Sequence, residues 1–484
     1  MALNSFRFVI CFAALFAVLL AFEGIKRLSK NKKLGRVQIM LLLLFSYLFV
    51  LAADWRFCLC ILFATGLTYF AGIGIQQSKS QKGKRAFAAL GIVALVLMLG
   101  YFKYTNFFIS GIAALLGAKV DSLNILLPIG VSFYSFSAIA YLLDVYRQKY
   151  EAVRNFPDFA LYIAFFPKLM SGPIVRGREF FPQIRDYRGI SAKAVADGIQ
   201  IFVFGLFKKI VLADRLSVFV GDVFFAPSAY NTATVILAVI SYSLQIYFDF
   251  SGYSDMAIGI SKMVGFDFSP NFNLPYVATS FSDFWKRWHI SLSSWFQEYL
   301  YIPLGGSRKG KLRTCINLLT VMLISGLWHG AGLTFLLWGL LYGIMSCAES
   351  LVRRRGRAEK GAVKIAQAMG VYVVVSLFWI PFRAESLANA WAVLKGCLTI
   401  HSGISQPYTW TFFALFCLIT ATVLAVVKSR KAKLTDKHGC ATVNGYYPVA
   451  DLTKVVNLCL FFIFCGLTLI LGYFGNTAFI YGKF

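Results

Sequence analysis

Long apolar runs recur along the chain, divided by short loops that are either dense in Lys and Arg or almost free of them. Little constrains a fold more. Backbone placed in hydrocarbon must satisfy its own hydrogen bonds, and a helix does this within a single segment. The runs are 6–22, 37–53, 57–75, 86–102, 125–143, 199–220, 232–250, 314–328, 333–348, 365–381, 411–427 and 455–474, or about 12 crossings. The basic loops hold Lys26 to Arg36, then Lys79, Lys82, Lys84 and Arg85, then Arg147, Lys149 and Arg154. Later ones hold Arg308, Lys309, Lys311 and Arg313, then Arg353, Arg354, Arg355 and Arg357, then Lys428 to Lys437. Lys/Arg-rich loops mark the cytoplasmic side, and on this count all of them fall there. An even count places both termini outside.

Composition agrees with that reading. Only 14% of residues are charged and 58% are hydrophobic, whereas soluble domains carry about 25% charged residues. The expected class is an all-α polytopic integral membrane protein of the cell membrane. Residues 1–484 form one transmembrane domain, with additional re-entrant or interfacial helices. The formal charge of +27 would suggest nucleic acid in a soluble protein. Here the basic side chains sit in loops, where they set topology and meet anionic lipid head groups, and nucleic acid is excluded as a partner. The cysteines are scattered, mostly within apolar runs, without metal-ligand spacing, and read as small hydrophobes. His438 and Cys440 alone make a poor zinc site, so no metal is expected.

Several stretches are not simple spans. Residues 103–124 are mixed and read as external or interfacial. Residues 158–171, with Pro167 and Lys168, read as a re-entrant or interfacial segment. So does 281–303, which contains three Trp, Lys286, Arg287 and Pro303. Lys208 and Lys209, inside run 199–220, face a polar cavity or snorkel.

Two of the four histidines, His289 and His329, each follow a tryptophan, Trp288 and Trp328. His329 lies where runs 314–328 and 333–348 are joined by His-Gly-Ala-Gly. At about 1.5 Å rise per residue, the first run barely crosses a core about 30 Å thick, which places His329 inside the membrane. An ionisable group there is either functional or pins the hairpin through a neighbouring carbonyl. His289, among aromatic and basic residues, is a site residue or an interfacial anchor. Asp249 and Asp255 either line the same cavity or cap helices.

The motifs together carry a resemblance. Phe284-Trp-Lys-Arg-Trp-His289, Tyr301-Ile-Pro-Leu-Gly-Gly306 and Trp328-His329-Gly-Ala-Gly resemble the membrane-bound O-acyltransferase (MBOAT) family. Leu127-Pro-Ile-Gly-Val-Ser-Phe-Tyr, Ser171-Gly-Pro-Ile-Val-Arg176 and Tyr247-Phe-Asp-Phe-Ser-Gly-Tyr-Ser-Asp255 add to it. The motif-bearing core is 125–348, and within the family the chain resembles the branch of bacterial alginate O-acetyltransferase membrane subunits. Two features depart from the branch: Gln297-Glu298, where it often has Arg-Asp, and the ending Phe479-Ile-Tyr-Gly-Lys-Phe484.

The resemblance implies that His329 is the essential catalytic histidine and His289 the second, supporting one. It implies Asp249, Asp255, Tyr253, Trp285, Trp288, Trp328 and Arg287 as substrate-binding or cavity-lining residues. It implies no bound cofactor. The donor is an acyl thioester, foremost acetyl-CoA, and the acceptor is a cell-surface or secreted polysaccharide. An extracytoplasmic acyltransferase partner protein is also implied. D-alanyl transfer to teichoic acid from a carrier-protein thioester, and transport of an acyl group or glycan, are the competing readings.

Overall fold

The computed structural model describes residues 2–31, 33–118, 120–121, 123–170, 172–352, 361–432 and 449–475, with 421–432 described by backbone alone. The basic clusters at 353–357 and 433–437, the His438–Cys440 pair, Ser171 and the ending 479–484 lie outside the described residues. The described chain is helical; its only extended pairing is an isolated bridge between Tyr230 and Ile404.

Helix starts follow local capping chemistry. The side chains of Ser5, Asp54, Ser80, Asn155, Ser280 and Ser386 accept from backbone N–H groups two or three residues on. Each satisfies a donor that the first helical turn leaves without a partner.

Among the described residues, eight helices are long and apolar enough to cross a membrane. They are Phe6–Ser29, Lys33–Leu51, Trp55–Gln77, Gln81–Leu115, Thr232–Met263, Gly310–His329, Leu333–Val352 and Gly361–Arg383. The protein is thus a multi-pass membrane protein. The other four runs read as crossings are also helical. Runs 125–143 and 455–474 become the shorter helices Val131–Tyr146 and Val455–Leu471. Run 411–427 lies in Thr409–Ala432. Run 199–220 lies in a helical stretch from Ala192 to Phe225 that is interrupted by a π-helical segment, Lys208–Ala213.

Two stretches gain detail. Residues 103–115, read as external or interfacial, continue the helix Gln81–Leu115. Its 35 residues rise about 52 Å. The polar residues there do not break it, because Thr105 and Ser110 donate their hydroxyls to the carbonyls of Tyr101 and Asn106. The helix ending at His329 starts at Gly310, not at the first apolar residue. Its 20 residues rise about 30 Å, a full hydrocarbon thickness. His329 is secluded by the side chains packed on it.

The chain divides into two compact units, residues 1–202 with 256–268, and residues 203–255 with 269–484. The core stretch 125–348 contributes to both. The first unit is built on aromatic packing. Phe180 stacks on Phe266 at 5.1 Å and 15°, and Tyr162 and Phe159 close on Phe181 at 4.8 and 6.2 Å. The short helices Phe156–Ala164 and Phe166–Leu169 lie within this unit, broken at Phe165 just ahead of Pro167. Residues 159–169 are all buried, with Lys168 Nζ 4.0 Å from the centre of the Tyr162 ring.

The second unit contains the hairpin of Gly310–His329 and Leu333–Val352. Its helices meet through glycine: a Cβ at Gly339 would lie 2.5 Å from the Met322 carbonyl oxygen. Small residues let membrane helices approach this closely, where packing rather than hydrophobicity drives association. Gly339→Ala is expected to force the helices apart and destabilise the protein by about 1–3 kcal/mol. Thermal unfolding in detergent should show this as a lowered midpoint, with Leu340→Ala, on the exposed side, close to wild type.

Candidate active site

Segment 281–303 folds as the two short helices Phe281–Arg287 and Ile290–Phe296, followed by a π-helical turn, Gln297–Tyr301. The break falls at Trp288 and His289, so the segment is interrupted as expected and is not a span. His289 adopts φ 44° and ψ 55°. A non-glycine residue in the left-handed region costs free energy, and such strain concentrates where surrounding structure holds a functional group in place.

The hold on His289 is visible. Segment 271–273 runs beside it. Ile290 N donates to the Asn271 carbonyl (2.8 Å), and Asn273 N donates to the Arg287 carbonyl (2.9 Å). The Asn271 side-chain oxygen accepts from Ser291 N at 3.1 Å and Ser291 Oγ at 2.9 Å, and lies 3.2 Å from His289 Nδ1. Asn271 Nδ2 donates to Ser254 Oγ (3.2 Å). Phe250, one turn earlier on the same helix as Ser254, meets the imidazole edge-on at 4.6 Å. His289 is 1% exposed and lies outside the eight spanning helices. Burial lowers its pKa to about 3, so the ring is neutral at pH 7.

His329 ends its helix and is 3% exposed. Three aromatic rings meet it: Trp328 at 4.9 Å, Trp338 at 5.0 Å and Phe382 at 5.3 Å, all steeply inclined. The next residue, Gly330, turns to extended backbone while its N–H still reaches the Gly326 carbonyl (3.2 Å). A Cβ on Gly330 would collide with the Phe335 ring at 2.1 Å, so this turn requires glycine. The Trp328 ring also lies 6.0 Å from His289. One indole thus packs on both imidazoles. The two histidines, 40 positions apart in the chain, share one aromatic basin.

Of the other residues singled out in the sequence, Trp288 and Trp285 extend that basin. Trp288 is buried between Phe284 (5.6 Å), Phe272 (5.1 Å) and Trp379 (4.9 Å). Trp285 is half-buried against Tyr342 (5.0 Å) and Trp338 (5.9 Å). Among the described residues, Trp285 Nε1, Trp338 Nε1 and Tyr342 Oη have no protein hydrogen-bond partner. Buried donors of this kind are costly and are characteristic of sites that complete their hydrogen bonds with a ligand. Arg287, in contrast, is engaged locally: its Nε donates to Asp283 Oδ1 (2.9 Å) and its Nη1 to the Asn273 carbonyl (3.3 Å). Tyr253 is fully buried.

Asp249 and Asp255 lie inside the helix Thr232–Met263, which removes the capping alternative. Lys209 Nζ lies 2.6 Å from Asp249 Oδ1 and 2.8 Å from Asp214 Oδ1, and Lys208 pairs with Asp255. All five side chains are buried. The lysines therefore neither snorkel nor stand alone. They neutralise carboxylates across a close helix contact, made possible by Gly252, whose Cβ would lie 2.7 Å from the Gly205 carbonyl oxygen. A π-helical segment widens the turn here and presents both lysines to one helix face. Among the described residues no three His, Cys, Asp or Glu side chains gather as a metal site.

Asn271, Phe250, Trp338 and Phe382 contact the two histidines, and Ser254 holds Asn271; none of the five was singled out from the sequence. Asn271 lies 18 positions before His289 in a Pro- and Asn-rich stretch without periodicity, and no local signal connects the two.

Residues 151–382 match the sequence profile of the MBOAT, membrane-bound O-acyltransferase family. The chain is 41% identical over 385 residues to the probable alginate O-acetylase of Azotobacter vinelandii, covering 78% of this chain and 75% of that one. It is 36% identical over 406 residues to the peptidoglycan O-acetyltransferase of Helicobacter pylori, covering 78% and 76%. It is 25% identical over 236 residues to the teichoic acid D-alanyltransferase of Bacillus subtilis, covering 46% and 59%. Both histidines fall inside the matched region, and with relatives this similar over three quarters of its length the chain belongs to the membrane-bound O-acyltransferase family.

Proposed function

We propose that the protein moves an acetyl group from acetyl-CoA on the cytosolic side to a hydroxyl of a cell-surface or secreted polysaccharide. Delivery is direct or through an extracytoplasmic acyltransferase partner. The observation that carries this reading is the pairing of two buried imidazoles on a single indole, within a basin that holds unpartnered N–H and O–H donors. The names of the relatives at 36–41% identity support acetyl as the group and a glycan as the acceptor. The weaker and shorter match to a D-alanyltransferase favours the alternative less.

In the proposed step the acceptor oxygen attacks the thioester carbonyl while His329 takes the hydroxyl proton. The tetrahedral oxyanion draws on the donors around the basin. Collapse forms the ester and breaks the C–S bond, and the departing thiolate takes the proton from His329 and leaves as the thiol. His289 positions the reacting groups. A packed aromatic site keeps water from hydrolysing the thioester.

The test uses purified protein in liposomes with acetyl-labelled acetyl-CoA and an extracted polysaccharide fraction. Label bound covalently to glycan, or to an added partner protein, supports transfer. Label that only crosses the bilayer would favour transport instead. His289→Ala is expected to lower transfer and to weaken donor affinity more than His329→Ala does. Wild-type turnover and affinity in His289→Gln would remove His289 from the site.

A further inference from the structure

We propose that Asn271 is a positioning residue that holds neutral His289 as its Nδ1–H tautomer, so that Nε2 is the ring's only hydrogen-bond acceptor. The proposal rests on the reading of His289 as part of the transfer site. The argument begins at a backbone group. Ser291 N can only donate, and it points at the Asn271 side chain from 3.1 Å. The atom it meets must therefore be the amide oxygen, because the reverse orientation would set N–H against N–H. That assignment sends Nδ2 to Ser254 Oγ, which can accept (3.2 Å). The same oxygen lies 3.2 Å from His289 Nδ1 and can only accept, so Nδ1 must carry the proton.

The relay is rigid at each end. Ser254 and Asn271 are 0% and 1% exposed, and Ser254 sits one helical turn beyond Phe250, whose ring buttresses the imidazole. Ile290 N on the Asn271 carbonyl fixes the backbone on which the amide is mounted. The left-handed conformation of His289 brings Nδ1 to this amide.

The tautomer restricts the chemistry. With Nδ1–H committed to Asn271, neutral His289 has no N–H to offer a developing oxyanion. It receives a hydrogen bond at Nε2 and so holds a proton-bearing group: a hydroxyl, a water or the protonated ring of His329. Oxyanion stabilisation then belongs to other donors of the basin.

The test is nitrogen NMR on protein labelled with 15N-histidine, which has four histidines, the His289 signals being assigned with His289→Gln. The expected wild-type spectrum shows a protonated, pyrrole-type Nδ1 and an unprotonated, pyridine-type Nε2. Asn271→Leu removes the acceptor and is expected to lose that pattern and about 10²-fold in kcat, with donor KM changed by less than about threefold. Asn271→Asp keeps an acceptor oxygen for both Ser291 N and Nδ1, and is expected to restore the pattern and most of kcat. A pyridine-type Nδ1 in the wild type, or an unchanged pattern in Asn271→Leu, overturns the proposal. If the pattern is found but His289→Gln turns over normally, the tautomer assignment stands and the catalytic reading of His289 falls.

Discussion

His329→Ala is expected to lower acyl transfer by about 10²–10⁴-fold, the usual contribution of a positioned acid–base group, while the protein still inserts and folds. The ring is enclosed by Trp328, Trp338 and Phe382, at the end of a helix whose hairpin contacts are made mainly by other residues, Gly326 and Gly339 among them. His329→Gln separates chemistry from support. Glutamine can hydrogen-bond but cannot accept a proton at neutral pH, so it is expected to fail nearly as badly as alanine. If His329 served only to pin the hairpin turn, the order would reverse, with glutamine near wild type and alanine poorly folded. Single-turnover transfer of labelled acetyl, read beside thermal unfolding of each variant, decides between these outcomes. A well-folded glutamine variant with the native rate ends the base assignment.

Lys209→Met is expected to cost about 3–5 kcal/mol of stability, the penalty for leaving buried charge uncompensated. The lysine is 1% exposed and meets two carboxylates, Asp249 and Asp214, themselves 2% and 3% exposed. Removing it leaves both without their shared cation, and thermal unfolding in detergent should register a large fall in midpoint or a loss of monodisperse protein. The triple variant Lys209→Met, Asp214→Leu and Asp249→Leu removes the lysine together with both carboxylates it meets and leaves the Lys208–Asp255 pair in place. It is expected to recover much of the lost stability, because apolar replacement of a buried ionic group is often neutral or stabilising. Asp249 directly precedes Phe250, the residue packed on His289. If the ion pairs also keep that ring seated, the triple variant regains stability without regaining full transfer.

Much of the architecture was legible along the chain. Apolar runs and basic loops marked the eight spanning helices, because burial in hydrocarbon imposes a long, local pattern that one dimension can display. The interrupted character of 281–303 was legible in its mixed polarity, and both histidines stood out through their Trp-His motifs. The length of the helix ending at His329 was underestimated, because its first turn is polar and helical at once.

What only the tertiary structure decided is which distant groups neutralise or orient one another. Lys209 and Asp249 lie 40 positions apart, and Lys208 and Asp255 lie 47 apart. Periodicity reports which face of a helix is apolar, yet it does not say which polar side chain on another helix will meet a given charge. The sequence placed Asp249 and Asp255 beside aromatic residues, but the close approach at Gly252 paired them with lysines. Asn271 had no distinguishing pattern, because its role is a hydrogen-bond geometry assembled from Ser254, Ser291 and His289. Hydrogen bonds are short and directional, so their partners are settled only when the backbone is folded around them.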